Sequence, residues 1–233
     1  MPSFTKLSTK YVGHIADDYE RVRTGKKWDS ENEGISQLLN YVEQGSKTLD
    51  IPVGTGRLFS YFDERSFDIY GLDISTDMMA QAKAHAEKIG ANARIEKADI
   101  RSIPYPDGFF DLVVCIRFLN MIDDRGVDQV IRELARASSD KLLIGVRYVT
   151  PLSDLRARPS DWPRLLARPV RVLRRFAHLF VGRRWDGMAH EKAFLTQLFA
   201  DVGLQVLQTR YVERRWDNTD YVLWLLGKET AAD

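Results

Sequence analysis

The residues best suited to chemistry are three aspartates, each closing a short apolar run, with a glycine turn after the first. Asp50 leads into Ile51-Pro52-Val53-Gly54-Thr55-Gly56-Arg57-Leu58. Glycine lets a backbone approach a ligand closely and take a positive φ. A helix starting after such a turn offers unpaired N–H donors. A lone G-x-G also fits a purely structural turn, so the neighbouring acids matter. Asp73, in Gly71-Leu72-Asp73-Ile74, lies 17 positions after Gly56, near the ~20-residue spacing at which an acid accepts the hydroxyls of a ribose. Asp99 ends Lys97-Ala98-Asp99-Ile100 in the same way. Three carboxylates disfavour a polyphosphate and suit an adenosine that carries a cationic group.

The elements needed to bring these acids together are visible as alternating patterns. Strands are expected over residues 47–51, 67–72, 93–97, 110–116 and 141–147, with helices over 31–44, 57–64, 75–89 and 127–137. Ile35, Leu38, Leu39 and Val42 share one face of the first helix. Ser75 and Gly90 are the natural caps of the 75–89 helix. Asp123-Asp124 reads as the start of 127–137 rather than as an acidic pair. Strand–helix alternation implies parallel βαβ units in an open, doubly wound sheet, whose strand ends meet in a ligand crevice. A helix over 191–200 and strands over 204–212 and 221–226 follow. The loop between those strands is too short for a parallel crossover, so they form an antiparallel hairpin.

At these residues the chain resembles the class I S-adenosylmethionine-dependent methyltransferases. The motifs LDIPVGTGRL, YGLDIS, ADI with the following IPYPDGFFDLVVC, and the helix and strand of 127–147 match in order and spacing. The resemblance implies a Rossmann-like methyltransferase fold, α/β, with a seven-stranded, mostly parallel sheet ending in the hairpin. It implies S-adenosylmethionine as cofactor and S-adenosylhomocysteine as product. Asp50, Pro52, Gly54, Thr55 and Gly56 would lie beside the methionine part. Asp73 would take the ribose, Ile74 and Ile100 would flank the adenine, and Asp99 would read its amino group. Cys115 and Arg117 would border cofactor and acceptor, and Tyr19 of the N-terminal arm is a further cofactor candidate. Pro52 replaces the first glycine usual in the family, and the loop after strand four, Arg117 to Met121, carries no histidine.

Methyl transfer needs alignment of nucleophile and methyl, plus a base when the acceptor is a hydroxyl. The candidates are His14, His190 and Arg117. For the two histidines a surface or capping role competes. His85 is expected to be solvated, and His178 to be a packing residue. No metal-ligand spacing is present.

The chain has 233 residues, 34 basic and 33 acidic, for a net charge of +1. That average conceals a basic segment. Residues 151–184 hold nine arginines (Arg156, Arg158, Arg164, Arg168, Arg171, Arg174, Arg175, Arg183 and Arg184) against Asp154 and Asp161, a local charge of +7 that leaves −6 for the remainder. Over 170–180 the pattern is a basic amphipathic helix. The expected organisation is an N-terminal helical arm over the cofactor site (1–45), a cofactor-binding core (46–150), an Arg-rich helical cap (151–189), and a C-terminal helix and strands completing the core (190–233). The cap suits a small-molecule or glycolipid acceptor, an anionic one included, or peripheral contact with an anionic membrane. A solvated lid is the plain alternative. Nucleic acid is disfavoured for want of an aromatic RNA-binding motif, although an RNA methyltransferase and a non-catalytic cofactor-binding scaffold stay open. With one cysteine and neither signal peptide nor apolar span, a cytoplasmic protein is expected, at most peripheral to the inner face of a membrane.

Overall fold

The computed structural model describes residues 26–149, 188–214 and 219–228. Its elements in chain order are α1 (Lys26–Leu39), β1 (Lys47–Asp50), α2 (Phe59–Asp63), β2 (Asp68–Asp73), α3 (Thr76–Ile89), β3 (Ala93–Lys97), β4 (Phe110–Cys115), α4 (Asp124–Ala137), β5 (Ser138–Val149), β6 (His190–Glu191), α5 (Lys192–Asp201), β7 (Leu204–Glu213) and β8 (Thr219–Lys228).

One sheet runs β3-β2-β1-β4-β5-β8-β7. β1 pairs in parallel with β2 on one side and β4 on the other, so the strand order reverses at β1. The crevice of a doubly wound sheet opens at that reversal, beyond the strands' C-terminal ends. β8 pairs antiparallel with both β5 and β7, forming the expected hairpin. Beyond the seven long strands, β6 adds a two-residue parallel pairing at Tyr148 and Val149. Residues 151–187, the basic segment, lie outside the described residues.

Alternation along the strands divides the core into two layers. Val113, Val222, Trp224 and Leu226 pack with Val127, Val130, Ile131 and Leu134 of α4 and Leu195, Leu198 and Phe199 of α5. Leu112, Val114, Tyr221, Leu223 and Leu225 face the other way, onto Ile35, Leu38 and Leu39 of α1, Phe59 and Phe62 of α2, and Ala82 and Ala86 of α3. A fully buried leucine or phenylalanine contributes about 1.5–3 kcal/mol, so these layers dominate the cohesion of the fold.

Local signals set most boundaries. The Ser75 side chain accepts from Met78 N at the start of α3, and Gly90 closes it in the left-handed conformation, φ 74°. Asp123 caps α4 by accepting from Gly126 N. α1 departs from the pattern. It starts and ends about five residues earlier than the apolar spacing suggests, because Val42 packs from a turn rather than from a further helical turn. α1 also approaches the sheet closely: a Cβ on Gly34 would stand 3.0 Å from Leu223 Cδ1.

Candidate functional site

The glycine loop is fastened to the end of β2. Gly54 N donates to Asp73 Oδ2 at 2.9 Å, Ser75 N donates to Asp73 Oδ1 at 2.9 Å, and Val53 N donates to Leu72 O at 2.8 Å. Asp73 thus joins the loop to the entry of α3. Backbone N–H groups of Gly54, Ser75 and Ile74 share its two oxygens, which leaves part of their acceptor capacity for a ligand. Burial raises the Asp73 carboxyl above its ordinary range, against the opposing hydrogen bonds from Ser75, Gly54 and Ile74. Gly54 has φ 54° with no atom within 4 Å of where a Cβ would stand, so the loop offers bare backbone to open space. Gly56, φ 73°, faces the protein instead, against the Phe59 ring.

Asp50 sits below this loop on the α1 side of the sheet. Burial drives its carboxyl well above the carboxylate range, Arg57 pulls it down, and Asp73 adds to the rise. A buried acid held toward its neutral form is one that a cationic ligand would ionise. Asp50, Pro52, Gly54 and Thr55 line one pocket together with Val53, Arg57, Leu58, Ile116 and Arg117. Five of the expected site residues, Asp50, Pro52, Gly54, Thr55 and Arg117, therefore converge.

Sequence reasoning missed what holds the arginines. Glu31 of α1 is fully buried, and its Oε1 meets Arg57 Nη2 at 2.5 Å while its Oε2 contacts Arg117 Nη2. Arg57 Nη1 also donates to Asn32 Oδ1 at 3.0 Å. The Arg117 guanidinium lies between the Trp28 ring, 4.5 Å away, and the Tyr221 ring, 4.2 Å away. Stacking of this kind favours Arg on aromatic faces. Arg117 has φ 65°, uncommon for a residue with a side chain and a mark of local constraint. Burial works against its charge, but Tyr221 and then Glu31 outweigh it and hold the charge in place. Glu31 stands four and seven positions before Ile35 and Leu38, on the buried face of α1; that spacing is the available signal of its burial, masked by its charged residue type.

Several other expected residues are placed differently from a direct ligand role. The Asp99 carboxylate is clasped by Arg101, with Nε at 3.0 Å from Oδ1 and Nη2 at 2.5 Å from Oδ2. Those hydrogen bonds hold Asp99 below its ordinary range. Ile100 is buried, whereas Ile74 remains 40% exposed at the end of β2. The Cys115 side chain is fully buried in the α4 layer, and burial pushes its thiol up, with Asp50 adding to the effect. What this strand end presents to the pocket is Ile116 and Arg117. A thiol-specific reagent is therefore expected to leave Cys115 untouched in the folded protein and to react once per chain in denaturant. Rapid native labelling would overturn that placement.

His190 is buried in β6, its Nδ1 2.6 Å from Asp124 Oδ1 and its Nε2 3.0 Å from Leu119 O. A carbonyl only accepts, so Nε2 carries the proton in that bond. Both ring nitrogens are engaged, and His190 is absent from the glycine-loop pocket; as placed it offers no free lone pair to an acceptor. With the bond from Met188 N to Asn120 O, it secures residues 188–191 to the connection after β4. His85 is half-buried rather than solvated, with Nε2 out of solvent and without a partner. His14, Tyr19 and His178 lie outside the described residues. Among the described residues no helix is long and apolar enough to cross a membrane.

The chain is similar in sequence and in fold to known methyltransferases. Residues 48–140 match a family model described as a methyltransferase domain. The chain is 34% identical over 93 residues to a demethylmenaquinone methyltransferase of Thermus thermophilus, covering 38% of this chain and 42% of that protein. It is 28% identical over 95 residues to a phosphatidylethanolamine N-methyltransferase of Cereibacter sphaeroides, covering 40% and 45%. The matches thus span less than half the length of these relatives. The fold is similar to that of a magnesium protoporphyrin IX methyltransferase from Synechocystis PCC 6803, solved with bound S-adenosylhomocysteine, with a TM-score of 0.72 at 17% identity over 97% of this chain and 100% of the other.

Proposed function

We propose that this chain, which belongs to the class I S-adenosylmethionine-dependent methyltransferases, transfers a methyl group from that cofactor to a small, amphiphilic acceptor. The observation that carries the reading is the Asp73–Gly54 bond, which brings a hydroxyl-accepting acid and an open glycine backbone to one point of the crevice.

The residues present fit the cofactor. Asp73 retains acceptor capacity for a ribose hydroxyl, and exposed Ile74 offers an apolar face to a flat ring. Asp99 can take an amino group where Arg101 yields. Asp50 and the Gly54 turn, which line one pocket, would face the sulfonium and its amino-acid chain. The cofactor, when bound, supplies an electrophilic methyl group on positive sulfur. The protein's part is alignment and exclusion of water, which can supply roughly 7–11 kcal/mol of barrier reduction without a catalytic base. An acceptor that is already nucleophilic, such as an amine or an enolate, suits a pocket whose described lining holds no histidine.

For the acceptor we favour a lipid headgroup, a quinone-like ring or a sugar, anionic groups included. Relatives named for phosphatidylethanolamine and demethylmenaquinone support an amphiphilic substrate. So does the charge of +7 over residues 151–184, which suits an anionic acceptor or the anionic face of a membrane. Two measurements test this together: calorimetry with S-adenosylmethionine, and labelled-methyl transfer to lipid, quinone and sugar fractions. Replacing Arg171, Arg174 and Arg175 by Gln is expected to leave cofactor affinity within twofold while lowering transfer to the acceptor and binding to anionic liposomes. Unchanged transfer and liposome binding would reduce the segment to a plain lid. Absence of cofactor binding would overturn the activity itself.

A further inference from the structure

Glu31, Arg57 and Arg117 form a buried charge cluster that the proposed activity does not yet use. The carboxylate comes from α1, outside the family-matched segment of 48–140. The two guanidinium groups come from either side of the pocket, Arg57 directly after the glycine turn and Arg117 directly after β4. One glutamate faces two arginines, so the cluster carries a surplus positive charge. Leaving such a surplus buried is costly unless something meets it. Asp50 offsets it poorly, since burial favours its neutral form. Arg117 Nε is buried with no hydrogen-bond acceptor. Stacking between Trp28 and Tyr221 fixes the plane of its guanidinium, leaving little freedom to seek a partner elsewhere.

We propose that Glu31 is a positioning residue: from α1 it holds Arg57 and Arg117 across the glycine-loop pocket so that their surplus charge receives the carboxylate at the amino-acid end of the cofactor. The inference rests on the cofactor reading and adds the element that completes the site. A carboxylate matches the planar donor fork of arginine and sets a negative group against the guanidinium pair, while the adjoining ammonium can face the Asp50 side of the same pocket. It also explains a fully buried acid on α1. Without Glu31 the two guanidinium groups would face each other with no shared counter-charge, and Arg57, which no ring among the described residues holds, would lose its place beside Arg117.

The test uses two ligands that share the adenosine and thioether and differ at the far end. S-adenosylhomocysteine carries the amino acid; 5′-methylthioadenosine lacks it. Calorimetry with the full chain is expected to show Glu31→Gln weakening S-adenosylhomocysteine tenfold or more while leaving 5′-methylthioadenosine within twofold. Glu31→Asp, which keeps the charge but reaches only one arginine, is expected to fall between. Arg117→Gln provides a second route should Glu31→Gln fail to fold, and is expected to show the same selectivity. Equal losses for both ligands, or no loss for either, would overturn the proposal while leaving the cofactor reading intact. A wild-type protein that binds neither ligand would overturn both.

Discussion

Replacing Asp73 by alanine is expected to weaken S-adenosylmethionine binding by about ten- to a hundredfold, corresponding to the loss of on the order of 1.5–3 kcal/mol from a charged contact to the ribose. The structure adds a second contribution, because the same carboxylate anchors Gly54 N and Ser75 N. Asp73→Asn separates the two. Its amide oxygen can still accept from Gly54, so the loop is kept while the charge is lost, and an intermediate affinity follows. The pH dependence of stability distinguishes the anchor from the ligand contact. Burial raises the folded-state carboxyl above 3.8. The folded protein therefore binds this proton more tightly than the unfolded chain. Ionising Asp73 lowers stability as pH rises from its unfolded value through its folded one. Alanine removes that penalty, so the unliganded variant should show a smaller deficit relative to wild type in urea at about pH 7 than at about pH 4. Unchanged calorimetric affinity for the cofactor would remove Asp73 from the site.

Gly56→Ala is expected to be the most damaging single substitution to the fold near the site. The backbone φ of 73° is unfavourable for any residue with a Cβ. The added methyl would stand 2.6 Å from Phe59 Cε2 and 3.2 Å from Ala82 Cα. Phe59 is fully buried in the α1 layer and cannot swing away, and Ala82 Cα belongs to the backbone of α3. Strain and overpacking together should cost about 2–4 kcal/mol. For a chain of this size that lowers Tm by roughly 5–15 °C. Gly54→Ala provides the contrast, since its Cβ would meet nothing within 4 Å. It bears the left-handed strain without the clash and should melt closer to wild type, while obstructing the ligand's approach. Equal melting temperatures for the two variants would contradict this division between an inward and an outward glycine.

The ligand end of the fold was legible in the sequence where the determinants are local. The Gly54–Gly56 turn, Asp73 at a strand terminus, and the Ser75 and Gly90 caps each depend on residues within a few positions of one another. So does the reading of Asp123 as a cap. Tertiary partners were not legible. Nothing near Glu31 in the chain announces Arg57 or Arg117, which reach it across the crevice. Asp99 has the right type and position, but Arg101 two residues later already occupies its carboxylate. Cys115 obeys strand alternation, which turns its side chain toward α4 and leaves Ile116 and Arg117 at the pocket. His190 follows the basic segment as expected, yet its nitrogens are settled by Asp124 and Leu119, both distant in sequence.

The position of β8 has a bearing on how the protein acquires this shape. It is the last described strand in chain order, yet it lies inside the sheet between β5 and β7 and is buried along nearly its whole length. Until it is in place, β5 has an open edge, β7 has no neighbour, and α1 lacks the Leu223 and Leu225 surface on which it rests. Such late, long-range pairing slows assembly and leaves strand edges exposed to wrong partners meanwhile. Tyr221, which forms one wall of the Arg117 stack, arrives on this same strand. A half-made chain can thus build the glycine turn and its acids early, but the cationic side of the pocket takes form only when the sheet closes.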